Sequence, residues 1–268
     1  LVPEYQDLSF KLNFPTRKAG TFSVFGIGGT NLAEREVEKD KTKWDEDNEN
    51  VNYKGRGKLG VLGLSHQYFL TPNSYLKTVL SVSGDWYKVK TDTLNPATDY
   101  SRVDIVRSRF INTAYRASVL YNNKISARHL LRAGVTASRL GFDYQSEYYD
   151  EVDDTWKHFI NGEGNAMYYQ AYVQWKWRMT NRWTLNTGLH GSLFDLNDSK
   201  SLEPRASIAY QFKPGESLAL SAGLHSKPEH LSTYYFKNTN HSLGLQDINK
   251  SLDLIRAAHL VLAYERII

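Results

Sequence analysis

The property of the sequence that most restricts the fold is a strict alternation of apolar and polar residues over long runs. Along 166–179, one parity holds mainly apolar and aromatic residues, among them Val173 and Trp175, while the other holds Tyr, Gln, Lys and Arg. The run 202–213 repeats the pattern, with Ile208 on its apolar parity. Successive side chains of a strand point to opposite faces, whereas helical spacing would scatter each set around a cylinder. These runs therefore predict β-strands with one apolar and one polar face.

The same alternation recurs along the chain and predicts about eleven strands. Clear runs begin near residues 8, 76, 131, 183, 218 and 258, and less regular ones span 20–28, 58–70 and 103–121. Most of these strands have about ten or more residues, whereas strands of soluble proteins average about 5 to 6. A tilted strand of about ten residues is long enough to cross the hydrocarbon core of a bilayer.

Connections between the predicted strands alternate in length. The short ones are Pro15–Gly20, Thr71–Ser74, Asn122–Ser126, Thr180–Asn181 and Pro214–Glu216. The long ones are Gly29–Gly57, Lys90–Arg102, Tyr144–Gly164 and Ser226–Leu252, and Asp195–Ser201, which takes the place of a long one, is intermediate. Outer-membrane barrels place tight turns at one end and long loops at the other. We therefore predict an all-β fold: an antiparallel up-and-down transmembrane β-barrel segment of about eleven long strands with alternating short turns and long loops.

The two parities predict which side chains face the interior of such a barrel and which face lipid. The expected lumen-facing residues are Tyr168, Gln170, Tyr172, Gln174, Asn186, His190, Arg205 and Gln211. The expected lipid-facing or girdle residues are Tyr169, Val173, Trp175, Trp177, Trp183, Ile208, Tyr210 and Phe212. Phe69 and Tyr75 flank a short turn and are also expected in the aromatic girdle that such barrels carry at the membrane interface.

Composition excludes several classes of protein and site. The chain has no cysteine, which rules out disulfides, thiolate metal sites and a cysteine nucleophile. Its 33 basic and 29 acidic residues leave a net charge of +4, which does not decide a partner. No run approaches about 18 consecutive apolar residues, so no transmembrane helix is predicted. A membrane barrel stays compatible, because its alternating faces cancel in any average.

Other motifs are weak. The glycines of Gly26–Gly29 lack the helix that a dinucleotide-binding loop requires, and the charges of Asn31–Trp44 favour a solvated loop over a helix. Two acidic runs, Asp45–Glu49 and Tyr149–Asp154, lack the spacing of a calcium loop. The irregularly spaced His225, His230 and His241 are not expected to bind a metal. We expect no catalytic residue, no cofactor and no nucleic-acid partner.

Short motifs resemble one family. Ser201–Tyr210, with the sequence SLEPRASIAY, and the following Leu218–Gly223 resemble a strand pair with an E-P-R motif in TonB-dependent outer-membrane receptors. Arg256–Glu265 resembles the next barrel strand of that family, which follows a large extracellular loop. Residues 3–10 and 20–26 are similar to its middle barrel strands. The resemblance covers nearly the whole chain as barrel.

The chain also departs from that family. Its members carry an N-terminal TonB box, a plug domain and a barrel of about 22 strands, and the sequence has neither box nor plug. Eleven is an odd number, whereas single-chain bacterial barrels have an even number of strands. Residues 1–268 are therefore expected to be a partial outer-membrane β-barrel domain, the central segment of a larger receptor.

The resemblance implies the cell outer membrane of a Gram-negative bacterium and a part in active transport. The implied cargo is a large, scarce solute such as an iron chelate, cobalamin, a peptide or a glycan. The implied partners are outer-membrane lipid, a plug from the same parent chain, the inner-membrane TonB complex reached through the missing N-terminal region, and a surface lipoprotein. The alternatives are a passive porin, a barrel enzyme, or a surface-exposed β-protein that binds a ligand.

Overall fold

The chain forms one antiparallel sheet of eleven strands in a computed structural model that describes residues 2–37, 40, 42, 51–95, 99, 101–235 and 249–267. The strands are β1 (Val2–Pro15), β2 (Thr21–Arg35), β3 (Val51–Thr71), β4 (Ser74–Asn95), β5 (Ser101–Lys124), β6 (His129–Asp150), β7 (Thr155–Arg178), β8 (Trp183–Phe194), β9 (Ser199–Lys213), β10 (Glu216–Lys227) and β11 (Ile255–Arg266). Each strand pairs with the next along the chain, from β1 to β11. The predicted up-and-down topology of eleven strands is therefore confirmed.

Register separates the side chains into two faces. Residues directly opposite each other in an antiparallel pair share a face, and Tyr172 lies opposite His190, which lies opposite Glu203. Following such partners from strand to strand defines a polar face, made by odd-numbered residues of β1–β4 and β9–β11 and even-numbered residues of β5–β8. The remaining parity forms the apolar face. Two bulges, between Thr91 and Asp92 and between Ser146 and Glu147, each leave an extra residue on the partner strand. Beyond each bulge, the assignment of odd- and even-numbered residues to the two faces therefore changes on one strand of the pair.

The apolar face exposes large side chains that a water-soluble sheet would cover. Leu62 and Leu80 are each 52% exposed, and Leu260 is 76% exposed. Soluble monomers seldom expose contiguous apolar patches of more than a few hundred Å². By contrast, several residues of the polar face are buried, among them Phe194 and Glu203.

The strands extend further than the alternation predicts. Tyr144–Gly164, expected to be a long loop, is mostly paired, because β6 runs to Asp150 and β7 begins at Thr155. Likewise β4 runs to Asn95 and β2 to Arg35, so much of Lys90–Arg102 and the start of Asn31–Trp44 are strand. Continuing the ladder gives the backbone N–H and C=O groups their partners, which accounts for the difference. The acidic run 45–49 lies outside the described residues.

The short turns and the extended hairpins lie at opposite ends of the sheet. Gly20 and Gly215, in two short turns, have φ of 79° and 78°, a conformation that glycine adopts without steric cost. At the other end, the described part of the segment between β10 and β11 includes a short helix, α1 (Leu231–Tyr234). No helix within the described ranges is long and apolar enough to span a bilayer.

Candidate functional site

The polar face forms a groove over β7–β11, with a volume of about 600 Å³. Side chains of the polar face that line it come from five strands: Tyr172, Gln174, Asn186, His190, Arg205, Ser207, Ser221, His225, His259 and Val261. The groove thus offers hydroxyl, amide, imidazole and guanidinium groups to whatever enters it. Such a mixed lining suits recognition by hydrogen bonds.

A buried carboxylate contacts two of these lining residues, His190 and Arg205. The side chain of Glu203 is only 2% exposed. Its Oε2 accepts a hydrogen bond of 2.5 Å from Nη2 of Arg205, and its Oε1 accepts bonds from Oγ of Ser201 (2.8 Å) and Oγ of Ser226 (2.5 Å). Nδ1 of His190 lies 3.1 Å from the same Oε2. A buried charge needs such partners, and here they fix Arg205 at the edge of the groove.

The alternating backbone explains why these residues meet. Glu203 and Arg205 are two positions apart on β9 and therefore share a face, and Arg205 lies opposite Gly223 of β10. A side chain at Gly223 would approach the Cγ of Arg205, so the glycine leaves room for the guanidinium arm. Nε of Arg205 also donates to the carbonyl oxygen of Leu224 at 3.3 Å.

A segment that we call the capping segment, residues 228–235 and 249–254, covers the polar face at the end with the extended hairpins. Leu231, Tyr234 and Leu254 pack against Phe142, Ala166, Tyr168 and Phe194. The rings of Phe194 and Tyr234 are 5.0 Å apart, and both side chains are fully buried. Burial of this kind stabilises the contact by removing apolar surface from water.

Hydrogen bonds hold the capping segment at defined points. The hydroxyl of Tyr235 donates to the carbonyl oxygen of Asn165 at 2.9 Å. Nδ2 of Asn197 donates to the carbonyl oxygens of Lys250 (3.0 Å) and Leu252 (2.6 Å). Burial raises the pKa of the Tyr234 hydroxyl, which accepts a bond from the backbone N–H of Glu229. The segment is therefore docked onto β7 and onto the turn that follows β8.

Two polar clusters stiffen the extended hairpins. Hydrogen bonds to the carboxylates of Asp150 and Asp153 raise the pKa of Lys157, and the bond from Lys157 lowers the pKa of Asp150. The hydroxyls of Tyr53 on β3 and Tyr87 on β4, two adjacent strands that belong to different extended hairpins, are 2.6 Å apart. That hydrogen bond, together with burial, raises the pKa of Tyr53 to about 12.

The structure places the eight predicted lumen-facing residues on one face. Five of them, Tyr172, Gln174, Asn186, His190 and Arg205, line the groove. Tyr168 packs beneath the capping segment, and Gln170 lies beside His190, with their Nε2 atoms 3.4 Å apart. Gln211 lies apart from them near a short turn, opposite Ser217.

The eight residues predicted to face lipid all lie on the other face. Trp175 and Trp177 stack with His129, at ring distances of 5.6 and 5.8 Å, and Trp183 packs on Tyr210 at 4.7 Å. The eight predicted residues found on this face are Tyr169, Val173, Trp175, Trp177, Trp183, Ile208, Tyr210 and Phe212.

Two other aromatic assignments were wrong. Phe69 and Tyr75 lie opposite each other on the polar face, with rings 5.7 Å apart. The short turn between β3 and β4 sets this register, and the irregularity between Phe69 and Thr71 lies beside it. So close to the turn, the sequence alone did not show which face of the sheet these two side chains occupy.

Several residues of the site were not singled out from the sequence. Glu203 entered only as the first residue of the E-P-R motif and not as a predicted lumen-facing residue, although its spacing of two from Arg205 puts both on one face of a strand. His225 and His259 meet at a ring distance of 4.8 Å across β10 and β11. His230 instead stacks on Tyr144, and His241 lies outside the described residues. Among the residues that the structure describes, no group of three or more His, Cys, Asp or Glu has the arrangement of a metal site.

Comparison with known structures identifies the fold. The chain aligns with a structure of the RagAB peptide transporter at 10% identity and a TM-score of 0.60, covering 96% of this chain and 38% of that one. It is also similar to the ferric-catecholate import receptor Fiu of E. coli K12, at 8% identity and a TM-score of 0.53 over 84% of this chain and 40% of that one. These are TonB-dependent receptors. The fold is that of their barrel wall.

A third structure agrees. The copper transporter OprC aligns at 12% identity and a TM-score of 0.50, covering 87% of this chain and 47% of that one. The chain thus spans less than half the length of each of these proteins. By sequence, no family profile and no curated protein matches it. The three similar structures are described as a peptide transporter, an import receptor and a copper transporter.

Proposed function

We propose that this chain is a wall segment of an active transporter in the outer membrane of a Gram-negative bacterium. In this proposal the transporter imports a large, scarce solute, such as an iron chelate, cobalamin, a peptide or a glycan. The energy comes from the inner-membrane TonB complex. A plug and further strands of the same parent protein complete the barrel, and a surface lipoprotein is a further candidate partner.

The observation that carries the proposal is the contrast between the two faces of a sheet with this fold. The apolar face, with Leu62, Leu80 and Val173 exposed, has the character of a surface in contact with lipid. The polar face holds the groove and the buried Glu203 cluster, which suits the water-filled interior of a barrel. In this arrangement the short turns face the periplasm and the extended hairpins face outward.

The capping segment supports a selective transporter over an open porin. It is held on the polar face by a buried aromatic cluster and by the hydrogen bonds of Asn197 and Tyr235. In the proposed orientation it lies at the outer mouth, above the groove. A solute that enters from outside must pass it, and loops in such positions commonly determine selection.

Uptake by cells tests the proposal. The full-length protein is expressed in an outer-membrane host with and without TonB, and four probes are supplied: a ferric catecholate, cyanocobalamin, a mixed peptide digest and a maltooligosaccharide. We expect one probe to accumulate only when both the protein and TonB are present. Equal accumulation without TonB would contradict active transport and favour a passive pore. Absence of the protein from the outer-membrane fraction would contradict the localisation.

A further inference from the structure

The apolar face ends in a set of cations on β3, β4 and β5, at the side of the extended hairpins. On this face Trp86 of β4 lies between Lys58 of β3 and Ile111 of β5. Trp86 and Ile111 are the last large apolar residues of their strands before the cations begin. We call the following residues the basic patch: Lys54, Arg56, Lys58, Lys88, Lys90, Arg107 and Arg109.

Register arranges six of these cations in two rows across the three strands. The inner row, next to the apolar residues, is Arg56, Lys88 and Arg109, each directly opposite the next. The outer row is Lys54, Lys90 and Arg107. Like charges directly opposite each other destabilise a sheet. The four like-charged contacts in these rows therefore need anions nearby.

Carboxylates of the chain supply those anions unevenly. In the outer row Lys54 pairs with Glu34, while Lys90 and Arg107 share Asp104, with distances of 2.7 Å each. In the inner row Arg109 pairs with Asp143 at 2.8 Å. Each cation of the outer row thus has a carboxylate partner within the protein, although Lys90 and Arg107 share one.

The centre of the patch is left without a counter-ion. Among the residues that the structure describes, no carboxylate forms an ion pair with Arg56, Lys58 or Lys88, and all three side chains are exposed. Nζ of Lys58 lies 5.5 Å from the ring centre of Trp86, at the border of the apolar surface. Nε of Arg109 is buried and has no hydrogen-bond partner there.

We propose that the basic patch binds the phosphates of an acylated, phosphorylated glycolipid of the outer leaflet. The acyl chains would pack on the apolar surface below, which includes Leu62, Leu80 and Val82. Charge complementarity and the continuity of the patch with this apolar surface both favour a lipid over a soluble anion. Elsewhere on the apolar face the cations stand singly, with Arg139 on β6, Lys200 on β9, and Arg256 and Arg266 at the two ends of β11, so the patch is local. The inference rests on the outer-membrane orientation proposed above.

Native mass spectrometry of the full-length protein in detergent tests the inference. The probes are diphosphorylated lipid A, dephosphorylated lipid A and phosphatidylglycerol. The triple variant R56Q/K58Q/K88Q is compared with the control R17Q/K18Q/R128Q, which removes the same charge from the short-turn end. Each cation near an anionic surface raises the binding affinity about fivefold. Because the first variant loses three cations, we expect it to bind diphosphorylated lipid A roughly 100-fold more weakly than wild type. The control variant should bind as wild type.

Other outcomes separate this inference from the proposed function. Weak binding of dephosphorylated lipid A and of phosphatidylglycerol by the wild type would support it. Equal binding of phosphatidylglycerol and lipid A, or unchanged lipid A binding by the triple variant, would overturn it. Because the same preparations are assayed for outer-membrane localisation, a correctly localised protein that fails the lipid test refutes the basic patch alone. A protein outside the outer membrane refutes both proposals.

Discussion

At the scale of single residues, two clusters of charged side chains are held by specific partners. Glu203 is buried and accepts bonds from Ser201, Arg205 and Ser226. At the exposed end of the sheet, Lys157 joins Asp150 and Asp153 across the turn between β6 and β7. The first cluster shapes the groove, while the second one stiffens an extended hairpin.

The hairpin cluster predicts a pH-dependent effect of K157M. The lowered pKa of Asp150 means that its ion pair is complete above the ordinary carboxyl pKa and is lost as pH falls through the lowered value. At about pH 7 we expect proteolysis at the 150–157 turn to be about two- to fivefold faster in K157M than in wild type, because exposed ion pairs contribute little each. With pepsin near pH 2 the ratio should fall toward one, since the carboxylates become protonated.

Mass spectrometry of the cleavage products measures that ratio, and K200M, on another hairpin, is the matched control. A ratio for K157M that is independent of pH would show that the ion pair does not hold the turn.

At the scale of the elements, alternation predicted the strands but not where they end. Across 167–178 one parity is apolar, so the period of two is visible in the sequence. Across Asp143–Asp150 both parities are polar or aromatic, and the pattern disappears although the ladder continues. In the proposed orientation this hairpin lies outside the membrane with water on both faces, which accounts for the loss of the pattern. Pairing with β7, which the local sequence does not reveal, then determines the structure.

The capping segment escaped prediction for a related reason. α1 has only four residues, too few to show a helical period. Its position depends on contacts with Phe142, Tyr168 and Phe194, which are distant in sequence. The groove was predicted in part, because five of its residues belong to one visible parity. The role of the buried Glu203 as a partner of His190 and Arg205 depends on three-dimensional contacts that the sequence does not show.

β7 provides a direct test of the two faces. V173R places a charge on the apolar face and should impair insertion of the full-length protein by about 2 to 4 kcal/mol near the midplane. I208R on β9 should behave in the same way. Q174R, on the polar face next to Val173, should be tolerated. The folded fraction after insertion into lipid vesicles, read from heat-dependent gel mobility, measures the difference, and equal tolerance of V173R and Q174R would refute the assignment.

At the scale of the whole molecule, the described sheet has two edges, β1 and β11, and one face that is apolar throughout its middle. Strand edges within a bilayer leave backbone groups without partners, so a membrane wall has to be closed by further strands. The alignment with less than half of each receptor, at 38% to 47% of their length, fits the proposal that this chain is one part of such a wall.

The central claim is that one face of this sheet meets lipid and the other meets water. These 268 residues contain no cysteine. Single cysteines at successive positions 168–176 of β7 can therefore carry a spin label in the full-length protein within outer membranes, once any cysteine elsewhere in that protein is replaced by serine. We predict that collision with oxygen, which concentrates in lipid, alternates with a period of two and peaks at positions 169, 171, 173 and 175. Collision with a water-soluble nickel complex should not peak at those positions. Oxygen maxima at the even positions, or no alternation, would contradict the account.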